Sequence, residues 1–173
     1  MINWTFVKTL NINLRNIYQP YDISIIMNNQ KVRKYLYRIK WKNVVIKFGM
    51  SFDNSRNCGE RVYRQLGHCK SWGTQRLNGS SGSDWRVIED DFYNLYGFHM
   101  DHKDIELTIY DFTDYPFVTA NEWSELNAME IHLINSYTKL VGSKPIGNVH
   151  DDENFVKKAS PLKAVLEDLF KFG

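Results

Sequence analysis

Tyr35-Leu36-Tyr37-Arg38-Ile39-Lys40-Trp41-Lys42-Asn43-Val44-Val45-Ile46-Lys47-Phe48-Gly49 carries the clearest strand pattern of the sequence. Two apolar, β-branched and aromatic runs, Tyr35 to Ile39 and Asn43 to Phe48, read as strands, and residues 40–42 between them suit a hairpin connection. Gly49 ends the second strand, and Ser51 to Gly59 is a loop of turn-forming residues. A helix is expected from Glu60 to Cys69. Ideal helix geometry gives it a polar face of Arg61, Arg64, Gln65 and His68 and an apolar face of Val62, Leu66 and Cys69.

Farther along, Gly73 to Gly82 is a Gly/Ser-rich loop carrying Arg76, and Asp84 can cap a helix running to Tyr96. Ile105, Leu107 and Ile109 alternate with Glu106, Thr108 and Tyr110, the pattern of a third, half-buried strand. A long helix spans Asn121 to Val141 and stops near Gly142, with Pro145 beyond. Ser160-Pro161 opens a last helix. Toward the N-terminus, residues 1–30 mix apolar and Asn-rich positions around a Gln19-Pro20 break and read as an extension. The order predicts an α+β fold with a small, mainly antiparallel three-stranded sheet flanked by helices. Its parts are an N-terminal extension (1–30), a central domain (31–150) and a C-terminal helix packed on it (151–173).

Composition narrows the function classes. Of 173 residues, 43% are hydrophobic, enough for one packed core. No apolar run approaches the roughly 18 residues of a membrane span, and Met1-Ile2-Asn3-Trp4-Thr5 lacks a secretory start. The expectation is a soluble cytoplasmic protein. Two cysteines make no disulfide framework, and Cys58, His68 and Cys69 lack a fourth ligand at zinc spacing. Net charge is only +2. Between Lys31 and Arg76, however, basic residues outnumber the two acids, Asp53 and Glu60, several-fold. Such a segment is a solvated face or a phosphate-contact surface.

The clearest chemical signal is Glu130. Trp123, Leu126, Leu133, Ile134, Tyr137 and Val141 form one stripe of the long helix, and at ~100° per residue Glu130 falls near its middle. A carboxylate there needs a partner: a buried cation, a proton or a metal ion. Glu125 falls on a polar face and reads as solvated. In the hairpin, Tyr35 and Tyr37 project from one side of their strand, Lys47 stands just before Gly49, and Arg61 opens the next helix.

These residues, in this order, resemble the GIY-YIG nuclease family. Tyr35-Leu36-Tyr37 takes the place of the first motif. Lys47-Phe48-Gly49 takes that of the second, in the K-I-G form seen in some restriction and phage enzymes. Glu60-Arg61-Val62-Tyr63-Arg64-Gln65 supplies the helix arginine, Glu130-Ile131-His132-Leu133-Ile134 the metal-binding glutamate, and Asn148 the late asparagine. Arg64 with His68 also fits the family's Arg-x-x-x-His spacing, so either arginine can fill the role; Arg61 is favoured. The resemblance spans residues 35–148 and marks 31–150 as the nuclease-like domain.

It implies an endonuclease that hydrolyses DNA phosphodiester bonds, RNA not being excluded. Glu130 would hold Mg²⁺ or Mn²⁺, Tyr37 act as general base, and Lys47 and Arg61 stabilise the phosphate. Tyr35, Ser51, Arg64, His68, Arg76 and Asn148 are the expected substrate contacts. Cutting both strands would call for a homodimer. The alternative is a non-catalytic nucleic-acid-binding module using the same basic hairpin and helix.

Overall fold

The computed structural model describes residues 1–67, 69, 71, 93, 97, 99–142 and 144–148. The expected helices beginning at Asp84 and Ser160, the Gly73–Gly82 loop with Arg76, and His68 lie outside the described residues.

An antiparallel sheet is the centre of the fold. Its strands are β1 (Lys8–Asn13), β2 (Lys34–Trp41), β3 (Val44–Phe52) and β4 (Ile105–Asp111), in the order β1-β4-β2-β3. Three helices, α1 (Asp22–Asn29), α2 (Glu60–Leu66) and α3 (Glu122–Val141), complete the described α+β architecture.

The sheet has four strands where three were expected, because the N-terminal segment belongs to it. Lys8 to Asn13 pairs with Asp111 back to Glu106. Leu10 and Ile12 alternate with Thr9, Asn11 and Asn13, so β1 is an edge strand with one apolar side. The Gln19-Pro20 break sits just before α1, whose Ile23 and Met27, one turn apart, are fully buried.

Side-chain alternation splits the interior into two layers. Tyr35, Tyr37, Ile39 and Trp41 of β2 share one core with Ile105, Leu107 and Ile109 of β4, Ile23 and Met27 of α1, and Val62 and Leu66 of α2. Leu36 and Met50, on the opposite face, pack with Phe112 and with Leu126, Met129 and Leu133 of α3. Trp41 was expected in the hairpin connection. It is the last residue of β2, fully buried, and the turn is the tighter Lys42-Asn43, with Lys42 at φ +50°.

The helix ends follow their capping chemistry. Asn121 accepts from the Ser124 N–H at the start of α3, and Gly142, at φ +95°, closes it in the left-handed region. Gly67 stops α2 before Cys69. Within α3 the inward stripe runs through Leu126, Glu130, Leu133, Ile134 and Tyr137. Trp123 and Val141, in the first and last turns, are 56% and 43% exposed, so the expected stripe holds only in the middle of the helix. Glu125 is not merely solvated. Its carboxylate accepts from the N–H groups of Val118 and Thr119 and from the Thr119 hydroxyl. These bonds hold its pKa below the usual range.

β3 is the outer strand beside β2, and its edge is covered by a short turn, Ile146–Asn148. The Asn148 side chain accepts from the Phe48 N–H at 2.9 Å and donates to the Phe48 carbonyl at 2.7 Å. Removing it leaves both buried backbone groups without these partners. Asn148→Ala is expected to lower stability by roughly 1–3 kcal/mol, read as a fall in the urea midpoint at unchanged m-value.

Candidate active site

The hairpin register places Tyr37 directly opposite Gly49 and Ile39 opposite Lys47, with a bulge at Ile39/Lys40. Tyr37 lies over the glycine so closely that a Cβ there would come within 2.1 Å of the ring. Its hydroxyl donates to Gln65 Oε1 of α2 at 3.2 Å. Gln65, expected on the polar face of that helix, turns inward and is buried. Arg61 stands one turn before Gln65, and its guanidinium donates to the Met50 carbonyl at 3.4 Å. One turn of α2 therefore reaches the Gly49–Met50 backbone from one side, and the Tyr37 ring covers Gly49.

Lys47 is 6% exposed, and its ammonium donates to the Gly147 carbonyl at 3.0 Å. The turn that Asn148 holds against β3 thus also receives Lys47. Glu130 comes from α3, on the inward face where helix geometry put it. Burial pushes its pKa up, and the charges of Lys47 and Arg61 pull it partly back. The two cations and the carboxylate are brought into one electrostatic neighbourhood, while the hydrogen bonds described for Lys47 and Arg61 go to backbone carbonyls. A helix, a strand and a second helix thus converge on the edge of the sheet.

A cleft of about 340 Å³ opens beside this point, lined by Ser51, Phe52, Asp53, Asn57, Glu60, Arg61 and Arg64. Arg64 is paired with Glu60 at 2.6 Å, and Arg61 is the arginine whose charge acts on Glu130. Ser51 donates to Asp53 Oδ1 at 2.6 Å. Tyr35, expected as a substrate contact, is fully buried, and its hydroxyl donates to Asp53 Oδ2 at 2.6 Å. Burial, with the Asp53 charge adding to it, pushes the Tyr35 pKa well above the usual tyrosine value. Asn148 likewise faces the Phe48 backbone and is buried. Sequence reasoning passed over Asp53, which lies in no periodic pattern, and gave Gln65 no inward role because helix geometry grouped it with the arginines; each is recognised only by its partners.

A second polar cluster has a different character. Ser71 Oγ is 2.8 Å from His102 Nδ1, and Asp101 Oδ1 is 3.7 Å from the same nitrogen. A nucleophile relay needs hydroxyl and carboxylate on opposite ring nitrogens. Here the Ser71 hydroxyl also accepts from the His102 backbone N–H at 2.7 Å, which makes it a tie to the turn before β4. Burial pushes the His102 pKa down. Cys58 and Cys69 are buried and donate to the carbonyls of Val32 and Met100.

No family model, curated protein or solved structure matches the chain. Among the described residues no helix is long and apolar enough to cross a membrane.

Proposed function

We propose that the chain is a metal-dependent endonuclease of GIY-YIG type, hydrolysing phosphodiester bonds of DNA. The observation that carries this reading is the placement of Glu130: a desolvated carboxylate on the inward face of α3, with Lys47 and Arg61 acting on it. A binding surface for nucleic acid does not need such a carboxylate, whereas a metal-dependent phosphoryl-transfer site does.

Among the described residues no three His, Cys, Asp or Glu form a ready metal cage. A single carboxylate suits Mg²⁺ or Mn²⁺, since Mg²⁺ keeps several waters and takes phosphate oxygens as further ligands. Glu130 is the residue that would hold it. Bound there, the ion would supply a Lewis acid for the phosphate and the leaving oxygen.

The chain's own groups do the rest. Tyr37, as phenolate, takes a proton from the attacking water while the water oxygen bonds to phosphorus and the P–O bond to the leaving oxygen breaks. A free tyrosine, with a pKa near ~10, is too weakly ionised for this at neutral pH. The Gln65 amide must release the phenol before it can act; turned about its last bond, the amide can donate to the phenolate oxygen. Arg61 and Lys47 offset the negative charge that grows on the phosphate. Ser51 and Arg64 line the adjoining cleft and are the substrate contacts in this reading.

One observation favours the rival, a non-catalytic nucleic-acid-binding module: Tyr37 is 1% exposed, as a packing tyrosine would be. A plasmid assay separates the two. The purified chain is expected to nick supercoiled DNA with Mg²⁺ and to stop when EDTA is added. Tyr37→Phe should abolish nicking while leaving DNA binding, measured by gel shift, unchanged. A chain that shifts DNA in a salt-sensitive way yet never cuts it is the binding module.

A further inference from the structure

We infer that Asp53 is a positioning residue that sets α2, and with it Arg61 and Gln65, against the β2–β3 hairpin; the catalytic part of this inference rests on the nuclease reading. Asp53 follows β3 in the loop leading to α2, and its own N–H continues the sheet edge by donating to the Arg33 carbonyl at 2.7 Å. Its carboxylate joins three elements. Oδ2 accepts from the Tyr35 hydroxyl of β2 at 2.6 Å and from the Gly59 N–H at 2.8 Å, and Oδ1 accepts from Ser51 of β3 at 2.6 Å. The Tyr35 end is immovable, being fully buried in the core.

Gly59 is the last residue before α2. It takes φ +71°, and a Cβ on it would come within 2.9 Å of the Met27 sulfur. Neither its backbone conformation nor the space around it admits another residue easily, so the helix has one starting point, and Asp53 holds that point to β2. Arg61 lies two residues into the helix, and Gln65, which receives the Tyr37 hydroxyl, lies one turn further. Tyr35, at the other end of the link, has its ring centroid 6.3 Å from that of Tyr37. The carboxylate therefore helps fix the distance between the phenol on the hairpin and the guanidinium on the helix without bonding to either. A misplacement of about 1 Å in such a group costs on the order of 100-fold in rate.

The test pairs kinetics with amide hydrogen exchange on the full chain, using Asp53→Asn and, as a milder variant, Tyr35→Phe. In Asp53→Asn the single-turnover cutting rate is expected to fall on the order of 100-fold with half-saturating DNA concentration unchanged. Tyr35→Phe should fall in the same direction by less. The Gly59, Tyr63 and Gly67 amides should exchange faster in both, while β2 and β4 keep their protection. In an Arg61→Ala background Asp53→Asn should cost little more, because the two act as a unit; a general loss of stability would add instead. Unchanged exchange at Gly59 overturns the anchor. Faster exchange with an unchanged rate, or a slower rate with unchanged exchange, overturns the positioning role. A parent chain that does not cut DNA at all refutes the nuclease reading, and the exchange data then decide the anchor by themselves.

Discussion

Glu130→Ala is expected to lower the Mg²⁺-dependent cutting rate by on the order of 10³-fold or more, equivalent to about 4 kcal/mol of transition-state stabilisation. The fold should persist, because the side chain is only half buried. A stability measurement gives the same residue a second signature. Burial raises the folded-state pKa of Glu130 above its unfolded value, so the folded chain holds that proton more tightly than the unfolded one. The stability tied to it is fully present below the unfolded pKa and is lost as pH rises through the folded pKa. At neutral pH the charged, desolvated carboxylate is a liability that a neutral amide avoids. Glu130→Gln should therefore unfold at a higher temperature than the parent in metal-free buffer at neutral pH, and the gap should close as pH falls. Mg²⁺ should raise the melting temperature of the parent and leave Glu130→Gln unmoved. A Glu130→Ala chain that cuts at the parent's rate removes the basis of the nuclease reading.

Glu130 was legible because a helix repeats: at 100° per residue any polar intruder in an apolar stripe is visible. The β2–β3 hairpin and β4 were legible for the corresponding reason, a period of two, as were the ends of α3, where Asn121 and Gly142 carry their capping chemistry in their residue types. What repetition does not encode was lost. β1 offers only Leu10 and Ile12 between polar neighbours, and its partner strand ends 103 positions beyond Lys8, at Asp111. Lys47 and Phe48 meet Gly147 and Asn148, 100 positions away. Asp53 looks like any aspartate in a loop, and nothing local shows that three elements meet at its carboxylate. Alternation gave the side on which Tyr37 projects but not its depth: it was expected as a general base at the substrate and lies inside the core.

Gly49→Ala is the substitution expected to damage the fold most. Gly49 is not required by its backbone angles, since its φ is not among the positive values. The reason is a close approach. A Cβ would stand 2.1 Å from Cζ, 2.2 Å from Oη and 2.6 Å from Cε1 of Tyr37, all far inside van der Waals contact. The ring cannot simply withdraw, because Tyr37 is 1% exposed, with its hydroxyl on Gln65 and its ring beside Tyr35. Either the ring leaves its rotamer and gives up the Gln65 bond, or β3 shifts against β2 and strains the register at their centre. Overpacking of this kind costs typically 1–3 kcal/mol and sometimes more; with a rigid ring and a paired strand as the only yielding parts, about 3 kcal/mol or above is expected in urea unfolding. The cause is checked by a double-mutant cycle. Tyr37→Phe should rescue little, since the Cζ clash remains, whereas Tyr37→Leu, with no ring atoms at that depth, should recover much of the loss in the Gly49→Ala background. Were Gly49→Ala to unfold at the parent's urea midpoint, Tyr37 would not lie over Gly49. The phenol would then lose the placement that brings it to Gln65 and the Arg61 turn of α2, and the case for Tyr37 as the base would go with it.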